Sequence, residues 1–257
     1  MINRLSQNTL ARRIIFFVIL LAFWQGLAGS GLWAEYIFPS PLSVARTLVR
    51  GFQNGTFIVG IATSMRRLVI GFGISASIGI LSGLAIGRSK LLDETVGSIV
   101  LGLQTLPSIC WLPLALLWFG LSETAMLFVV VMGALLAITT ATEAGVKNTP
   151  PLYLRAARNL GARGWKMYAL VIFPAALPEI ITGMKLGWSF AWRSLMAAEL
   201  LYVSLGLGYL LMMGRELNDM SQVIAVMLVI IAIGLIVDRL IFAPIEARVR
   251  ERWGLVS

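Results

Sequence analysis

The chain has 257 residues, of which 58% are apolar and 13% are charged, whereas soluble domains average about 25% charged residues. Its 21 Lys and Arg outnumber its 12 Asp and Glu, which gives a net charge of +9, and it contains no histidine and a single cysteine, Cys110. This composition excludes histidine catalysis, histidine-ligated or cysteine-cluster metal sites and internal disulfides, and it indicates an integral membrane protein.

Apolar segments that could cross a bilayer recur along the chain, since a spanning helix needs about 20 residues. Five uncharged runs and one apolar run with charges inside it come close to this length: 14–34, 68–87, 95–122, 124–142, 220–237, and the charged 179–203. We predict an all-α fold, a polytopic membrane helix bundle of about six transmembrane helices in one domain over residues 1–257. An odd number of spans is the alternative, because 179–203 is less clearly apolar.

The distribution of Lys and Arg predicts the orientation, because cytoplasmic loops are enriched in both residues. With the N-terminus inside, fourteen of them fall in cytoplasmic segments and five outside. We therefore expect a multi-pass protein of a bacterial-type cytoplasmic (inner) membrane with both termini in the cytoplasm. The positive charge is assigned to topology and to membrane lipid, and no nucleic acid partner is expected.

The first thirty residues imitate a secretory signal, with a basic start, an apolar stretch and small residues at 28–30. The length of the apolar stretch favours an uncleaved helix. Residues 1–55 are then expected to form an N-terminal helix and a periplasmic loop, 56–242 the core helices, and 243–257 a cytoplasmic tail.

The second predicted span carries a small residue at every fourth position: Gly71, Ser75, Gly79, Gly83 and Gly87. In lipid such a stripe allows another helix to approach closely. Packing within the chain is the favoured interpretation, and an interface between subunits is the alternative.

The third predicted span contains Pro107 and Pro113, and each proline removes a helical hydrogen bond and bends the helix. Broken helices at membrane depth are tolerated where they line protein or a water-filled cavity. Gln104, Pro107 and Ser108 are therefore candidate residues of a path across the membrane, with simple kinked packing as the alternative.

The fifth predicted span begins with Glu179 and carries three further charged residues inside it, Lys185, Arg193 and Glu199. Such groups face the interior of a bundle or an aqueous cavity. Arg193 and Glu199 lie about 120° apart around a helix, so each needs a partner elsewhere. A fixed cation at this depth favours an anionic solute, which makes Arg193 and Glu199 path candidates. A structural Arg–Glu pair between helices is the alternative.

The loop between the fourth and fifth predicted spans, 143–168, is predicted to contain a short amphipathic helix. Thr149 is the expected N-cap before Pro150 and Pro151, and Gly161 is expected to end the helix. Its polar arc comprises Arg155, Arg158, Asn159, Arg163 and Lys166. The helix either lies on the membrane or docks into another protein, and the small Ala156-Ala157 pair favours docking.

This segment resembles the EAA loop of importer-type ABC transporter permeases. Ala156-Ala157-x3-Gly161-x9-Val171-x-Phe173-Pro174 is similar to Glu-Ala-Ala-x3-Gly-x9-Ile-x-Leu-Pro, with Arg155 in place of Glu. Further pieces resemble the sulfonate/taurine/nitrate branch: Phe38-Pro39-Ser40-Pro41, Leu106-Pro107-Ser108, Leu112-Pro113-Leu114, Trp118-Phe119-Gly120, Ala198-Glu199-Leu200 and Gly206-Leu207-Gly208-Tyr209.

The resemblance implies a type I ABC importer-like fold in which two permease subunits enclose the path. It implies that a segment at about 145–166 is a cytoplasmic coupling helix seated on a separate ATPase, and that an extracytoplasmic solute-binding protein delivers the solute. The implied ATPase-coupling residues are Arg155, Ala156, Ala157, Arg158, Gly161 and Pro174.

The partners follow from the same resemblance. The chain has no Gly-x4-Gly-Lys-Ser/Thr phosphate loop, so it is expected to bind no cofactor itself and to be no enzyme. ATP-Mg is expected on two partner ATPase subunits, and the second permease is expected to be another copy of this chain.

The predicted function is the transmembrane subunit of an ATP-binding cassette importer for a small anion of the sulfonate, taurine, nitrate or bicarbonate class. The alternative is an ion-coupled secondary transporter that uses Arg193 and Glu199 as a relay. That alternative predicts inverted repeats, which the sequence does not display. A membrane enzyme is a third class, but it would need a catalytic or metal constellation.

Overall fold

The computed structural model describes residues 2–202 and 204–253, and within them it is helical, without a β-strand. We number its helices in chain order as α1 Ile2–Gly29, α2 Pro41–Gln53, α3 Thr56–Ile86, α4 Lys90–Gln104, α5 Ser108–Phe119, α6 Glu123–Lys147, α7 Pro151–Asn159, α8 Trp165–Glu199, α9 Leu207–Glu216 and α10 Met220–Arg252.

Five of these helices are long and apolar enough to cross a membrane: α1, α3, α6, α8 and α10. The pair α4 and α5 forms a sixth span if it is counted as one, and it is bent by 103° at its break. The predicted all-α bundle of about six membrane helices is therefore confirmed. The third uncharged run is not a continuous helix, because its chain breaks at Pro107.

The helix bounds differ from the uncharged runs at several charged positions. α3 begins at Thr56, twelve residues before the run that predicted it, so Arg66 and Arg67 lie inside the helix and not in the outer loop expected for them. α8 likewise begins at Trp165, and the predicted loop 143–168 shortens because α6 continues to Lys147. Charge ended the run that predicted α3 too early, because Arg66 and Arg67 find carboxylate partners in Glu123 and Glu199 within the fold.

Helix α6 lies at the centre of the bundle and packs against α3 on one side. The small-residue stripe of α3 forms this contact. A Cβ atom at Gly83 would lie 2.5 Å from Cβ of Thr142, and one at Gly87 would lie 2.7 Å from Cβ of Val146. Packing within the chain is therefore the correct interpretation of the stripe. A step of four residues along α3, from Gly83 to Gly87, corresponds to a step of four residues along α6, from Thr142 to Val146, in the same order. α3 and α6 therefore run in the same direction.

Helix α8 packs against the other side of α6 and runs in the opposite direction. Gly133 of α6 meets Ser194 near the end of α8, whereas Gly145 meets Glu179 in its first half and Val146 packs with Met167 near its beginning. α3 and α6 thus finish where α8 begins, beside α7, and we call this side of the bundle the α7 end. The opposite side, where α8 finishes and α9 lies, is the α9 end.

Helix α10 returns from the α9 end to the α7 end. Its first half packs with α2 and α9, where Val44, Leu210 and Val226 share one apolar cluster. Its second half runs back along α8 toward the α7 end: Asp238 and Glu246 contact Lys185, in the middle of α8, at 3.0 and 3.4 Å, and Val249 lines one cavity with Pro178, in the first half of α8. The apolar segment of α1 has no buried residue within the chain.

Candidate translocation path and coupling surface

The break between α4 and α5 opens a cavity against α6 and α8. At Pro107 the backbone is extended, with φ −55° and ψ 135°, and the proline cannot donate a helical hydrogen bond. The cavity has a volume of about 290 Å³ and is lined by four of the five predicted path residues, Gln104, Pro107, Ser108 and Arg193. Thr105, Leu106, Met132, Gly133, Leu136, Ala137 and Phe190 complete the lining. We call it the path cavity.

Arg193 is the charged residue of the path cavity. Its Nε donates to the carbonyl of Ser189 at 3.2 Å, and its guanidinium carbon lies 4.9 Å from the centre of the Phe190 ring. No carboxylate of the described residues lies within ion-pair distance of it. Because a guanidinium presents two parallel N–H donors to a planar or tetrahedral anion, this side chain can bind an anion in the cavity.

Glu199 lies outside the path cavity, contrary to its expected place on the path. Its carboxylate accepts hydrogen bonds from Nη1 of Arg67 at 2.9 Å, from Oγ of Ser64 at 2.7 Å and from the backbone N–H of Gly208 at 3.0 Å. Only 1% of the residue is exposed. The structural-pair alternative is therefore the correct one for Glu199, although its partner is Arg67 and not Arg193.

Arg67 is the residue that the sequence interpretation missed. It is 4% exposed, and its guanidinium also donates to Oγ of Ser204 at 2.8 Å and to the carbonyl of Leu205 at 3.3 Å. The signal that could have found it is the stripe itself, because Arg67 lies four residues before Gly71 and continues the buried face of α3.

The Arg67–Glu199 pair connects α3, α8 and the turn before α9. Ser64 adds to it by accepting a hydrogen bond from the N–H of Leu207 at 2.9 Å. A buried ion pair is tolerated only when its remaining donors and acceptors are also satisfied, which is the case here. Gly206 and Gly208 are required because a Cβ atom at either would lie within 2.7 Å of Glu199.

Helix α7 begins at Pro151, and its predicted cap is wrong. Thr149 is buried and its hydroxyl donates back to the carbonyl of Gly145 at 3.2 Å, so it extends the hydrogen bonding of α6 and does not cap α7. The predicted end of the helix is confirmed, because Gly161 follows it with φ +83°, a conformation that glycine adopts without strain.

The two alanines of α7, Ala156 and Ala157, differ in exposure. Ala157 is 8% exposed and packs with Val146, Met167 and Ile172 of the chain's own bundle. Only Ala156 is exposed and accessible to a partner. The expectation that both alanines admit a partner is therefore corrected, since Ala157 fastens α7 to α6 and α8.

The outer side of α7 and of the turn after it forms an exposed surface that is both basic and apolar. Leu152, Leu160 and Trp165 are 70%, 88% and 73% exposed. The exposed cations around them are Arg155, Arg158, Arg163 and Lys166. No Asp or Glu occurs between residues 144 and 178. We call this exposed set the α7 surface; Gly161 belongs to it, whereas Pro174 is half-buried inside α8.

Comparisons with known proteins match one family model and several relatives over most of the chain. The model of the family described as "Binding-protein-dependent transport system inner membrane component" matches residues 75–251. A protein of Methanocaldococcus jannaschii named as an ABC transporter permease is 33% identical over 241 residues, which cover 92% of this chain and 90% of the relative.

Two further relatives carry the names of their solutes. The taurine transport system permease protein of Escherichia coli is 30% identical over 86% of this chain and 82% of its own length. The nitrate import permease protein of Synechocystis sp. is 30% identical over 90% of this chain and 86% of its own length.

Proposed function

The chain belongs to the family of binding-protein-dependent transport system inner membrane components, and from this premise we propose that it forms one half of a membrane path for a small anion. It is a multi-pass inner-membrane permease of an ABC importer, with five apolar helices of membrane length and one broken span. The proposal also assigns four partners to this chain: an ATPase, a second permease, a solute-binding protein and an anionic solute.

The α7 surface is assigned to the ATPase partners, which supply ATP-Mg. Its exposed Leu152 and Leu160 are the kind of apolar side chains that a partner buries, and its surrounding cations select an acidic rim on that partner. Ala157 fastens α7 to the bundle, so a displacement of the docked ATPase is transmitted to α6 and α8. The position of Arg155 among the exposed cations implies a carboxylate on the ATPase side.

A second copy of this chain is assigned to the other half of the path. The path cavity is bounded by α4, α5, α6 and α8 of one chain only, and a two-fold pair closes it from the remaining side. The solute-binding protein is assigned to the α9 end, opposite the α7 surface. With the α7 surface in the cytoplasm, both chain termini are placed there as well.

The assignment to an anion rests on one observation, the position of Arg193 in the path cavity. It places a positive charge without a carboxylate partner among the described residues in a cavity whose other polar groups, from Gln104, Thr105 and Ser108, are uncharged. A sulfonate, nitrate or bicarbonate group fits these donors. The apolar Leu136, Met132 and Phe190 suit the short carbon chain of a sulfonate or of taurine.

The proposal is tested with the chain co-expressed with its ATPase and reconstituted in liposomes with the binding protein. Uptake of labelled taurine and of nitrate is compared for wild type, Arg193→Gln and Arg239→Gln; Arg239 is an exposed arginine of α10 that does not line the path cavity and serves as the control. We expect ATP-dependent uptake that falls about tenfold or more in Arg193→Gln, because a charge-assisted hydrogen bond is worth about 1.5–3 kcal/mol. Uptake without ATP, or wild-type uptake in Arg193→Gln, would contradict the proposal.

A further inference from the structure

A second cavity continues the path cavity toward the α7 end. Its volume is about 500 Å³, and it lies between the same two helices, α4 and α6. Its lining comprises Asp93, Gly97, Ser98 and Leu101 of α4, and Thr140, Glu143, Ala144 and Lys147 of α6, with Asn148. The path cavity uses Gln104 of α4 and Leu136 and Ala137 of α6, one turn away. The two cavities therefore follow one groove, which we call the α4–α6 groove.

An ion-pair cluster crosses this groove at the α7 end. Nζ of Lys147 lies 2.7 Å from Oδ1 of Asp93 and 2.8 Å from Oε1 of Glu143. Asp93 belongs to α4, whereas Lys147 and Glu143 belong to α6, so the Asp93–Lys147 contact joins the two walls. Two carboxylates and one ammonium leave the cluster with a net negative charge, which opposes the passage of an anion released from Arg193.

Both partners of the crossing contact lie at points where the backbone can shift. Asp93 begins a π-helical segment, Asp93–Gly97, and π-helical turns are rare, weaker interruptions found frequently at functional sites. Lys147 is the last residue of α6, and only residues 148–150 separate it from α7. A displacement of α7 therefore reaches Lys147 directly.

We propose that the Asp93–Lys147 contact, with Glu143, is a latch that closes the α4–α6 groove to anions at the α7 end and opens when α7 moves. The inference rests on the proposed function, because α7 must be displaced by an ATPase. The side chains of Lys147 and Asp93 are 42% and 35% exposed, and ion pairs this accessible to water are weak enough to break and re-form in each cycle. All three are positioning residues and do not bind the solute.

The first test compares two neighbouring carboxylates of α4 in the reconstituted complex. Asp93→Asn removes the contact across the groove, whereas Glu94→Gln removes a 3.6 Å contact to Lys90 within α4 and is the matched control. We expect Asp93→Asn to raise ATP hydrolysis in the absence of solute several-fold and to lower ATP-driven uptake. Glu94→Gln is expected to match wild type in both.

The second test separates a latch from a merely structural contact. In a Cys110→Ser background, Thr140→Cys places a thiol in the groove, and its labelling by a membrane-impermeant reagent added on the side of the α7 surface reports access from the α7 end. We expect the labelling rate to differ between complexes with and without ATP when Asp93 is present, and to be equally fast in both in Asp93→Asn. Exchange of the charges, Asp93→Lys with Lys147→Asp, is expected to restore the ATP dependence that Lys147→Asp alone abolishes.

The outcomes distinguish the two proposals. A wild-type complex without ATP-driven uptake overturns the proposed function and the latch with it. A wild-type complex that transports, while Asp93→Asn behaves as Glu94→Gln does, overturns the latch alone. If Asp93→Asn does not assemble, the variant with exchanged charges, Asp93→Lys with Lys147→Asp, is used instead. If this variant assembles but its labelling at Thr140→Cys does not depend on ATP, the latch is also overturned.

Discussion

Two charged residues of the same helix, Arg193 and Glu199, have opposite roles in this chain. Arg193 lines the path cavity without a carboxylate partner among the described residues, whereas Glu199 is enclosed by Arg67, Ser64 and the N–H of Gly208. Because they lie about 120° apart around α8, the two residues are on different faces of the helix. Which face met a cavity and which met α3 depended on the neighbours of α8.

The Arg67–Glu199 pair yields a prediction at the scale of the residue. Glu199→Gln removes the buried carboxylate of the pair and leaves Arg67 only a 3.3 Å contact from Nε to the partly exposed carboxylate of Glu123; breaking a buried pair from one side costs about 3–5 kcal/mol. We expect a marked fall in the melting temperature of the detergent-solubilised protein, followed by size-exclusion chromatography after heating. Glu216→Gln, an exposed carboxylate on α9, is the control. A Glu199→Gln protein as stable as this control would contradict the structural role.

At the scale of the element, the sequence of α7 predicted the helix and its end but not the orientation of its two alanines. The Ala-Ala-x3-Gly pattern predicted a short helix that ends at Gly161, and the helix and its end are present. The pattern did not reveal that only one alanine is exposed, because that depends on the apolar groups of α6 and α8 beneath Ala157.

A matched pair of substitutions on α7 tests this division. Ala157→Trp inserts an indole between α7 and the bundle, so we expect a lower melting temperature and a loss of ATPase binding together. Ala156→Trp is expected to leave the melting temperature unchanged and to weaken only the co-purification of the ATPase.

The measurement for this pair is the melting temperature of the permease alone, followed by the mass of its complex with the ATPase. Equal melting temperatures for the two variants would contradict the inward orientation of Ala157. Undiminished ATPase binding in Ala156→Trp would remove the α7 surface from the docking site.

At the scale of the whole molecule, the directions of the helices determine which ends share a side of the membrane. α3 and α6 run in parallel through their glycine contacts, so the bent pair α4 and α5 must return the chain between them. α10 runs antiparallel to α8, because Asp238 meets Lys185 in the middle of α8 whereas Val249, near the end of α10, lines one cavity with Pro178 in the first half of α8. The end of α10 and the α7 surface therefore lie on one side.

This geometry predicts the sidedness of two reporters. A thiol introduced at Ala156 and an epitope after Ser257 are expected to become accessible to impermeant probes together, only after the cells are opened from the cytoplasmic side. A thiol at Leu217, which is 64% exposed in the turn between α9 and α10, is expected to react in intact spheroplasts. The experiment uses the Cys110→Ser background, and labelling of Ala156→Cys and Leu217→Cys from the same side would contradict the topology.

The sequence by itself determined the class of the protein, its helical bundle of about six spans and the family resemblance, because apolar length, small-residue spacing and a local motif are properties of continuous segments. It also singled out Gln104, Pro107, Ser108 and Arg193, since a proline break and an unusual charge are visible within one span. Only the tertiary structure decided that Arg67 and Glu199 neutralise each other, that Ala157 faces inward, and that Asp93 of α4 meets Lys147 of α6. Each of these depends on contacts between residues far apart in the chain, whose partners the packing of α3, α6 and α8 selects.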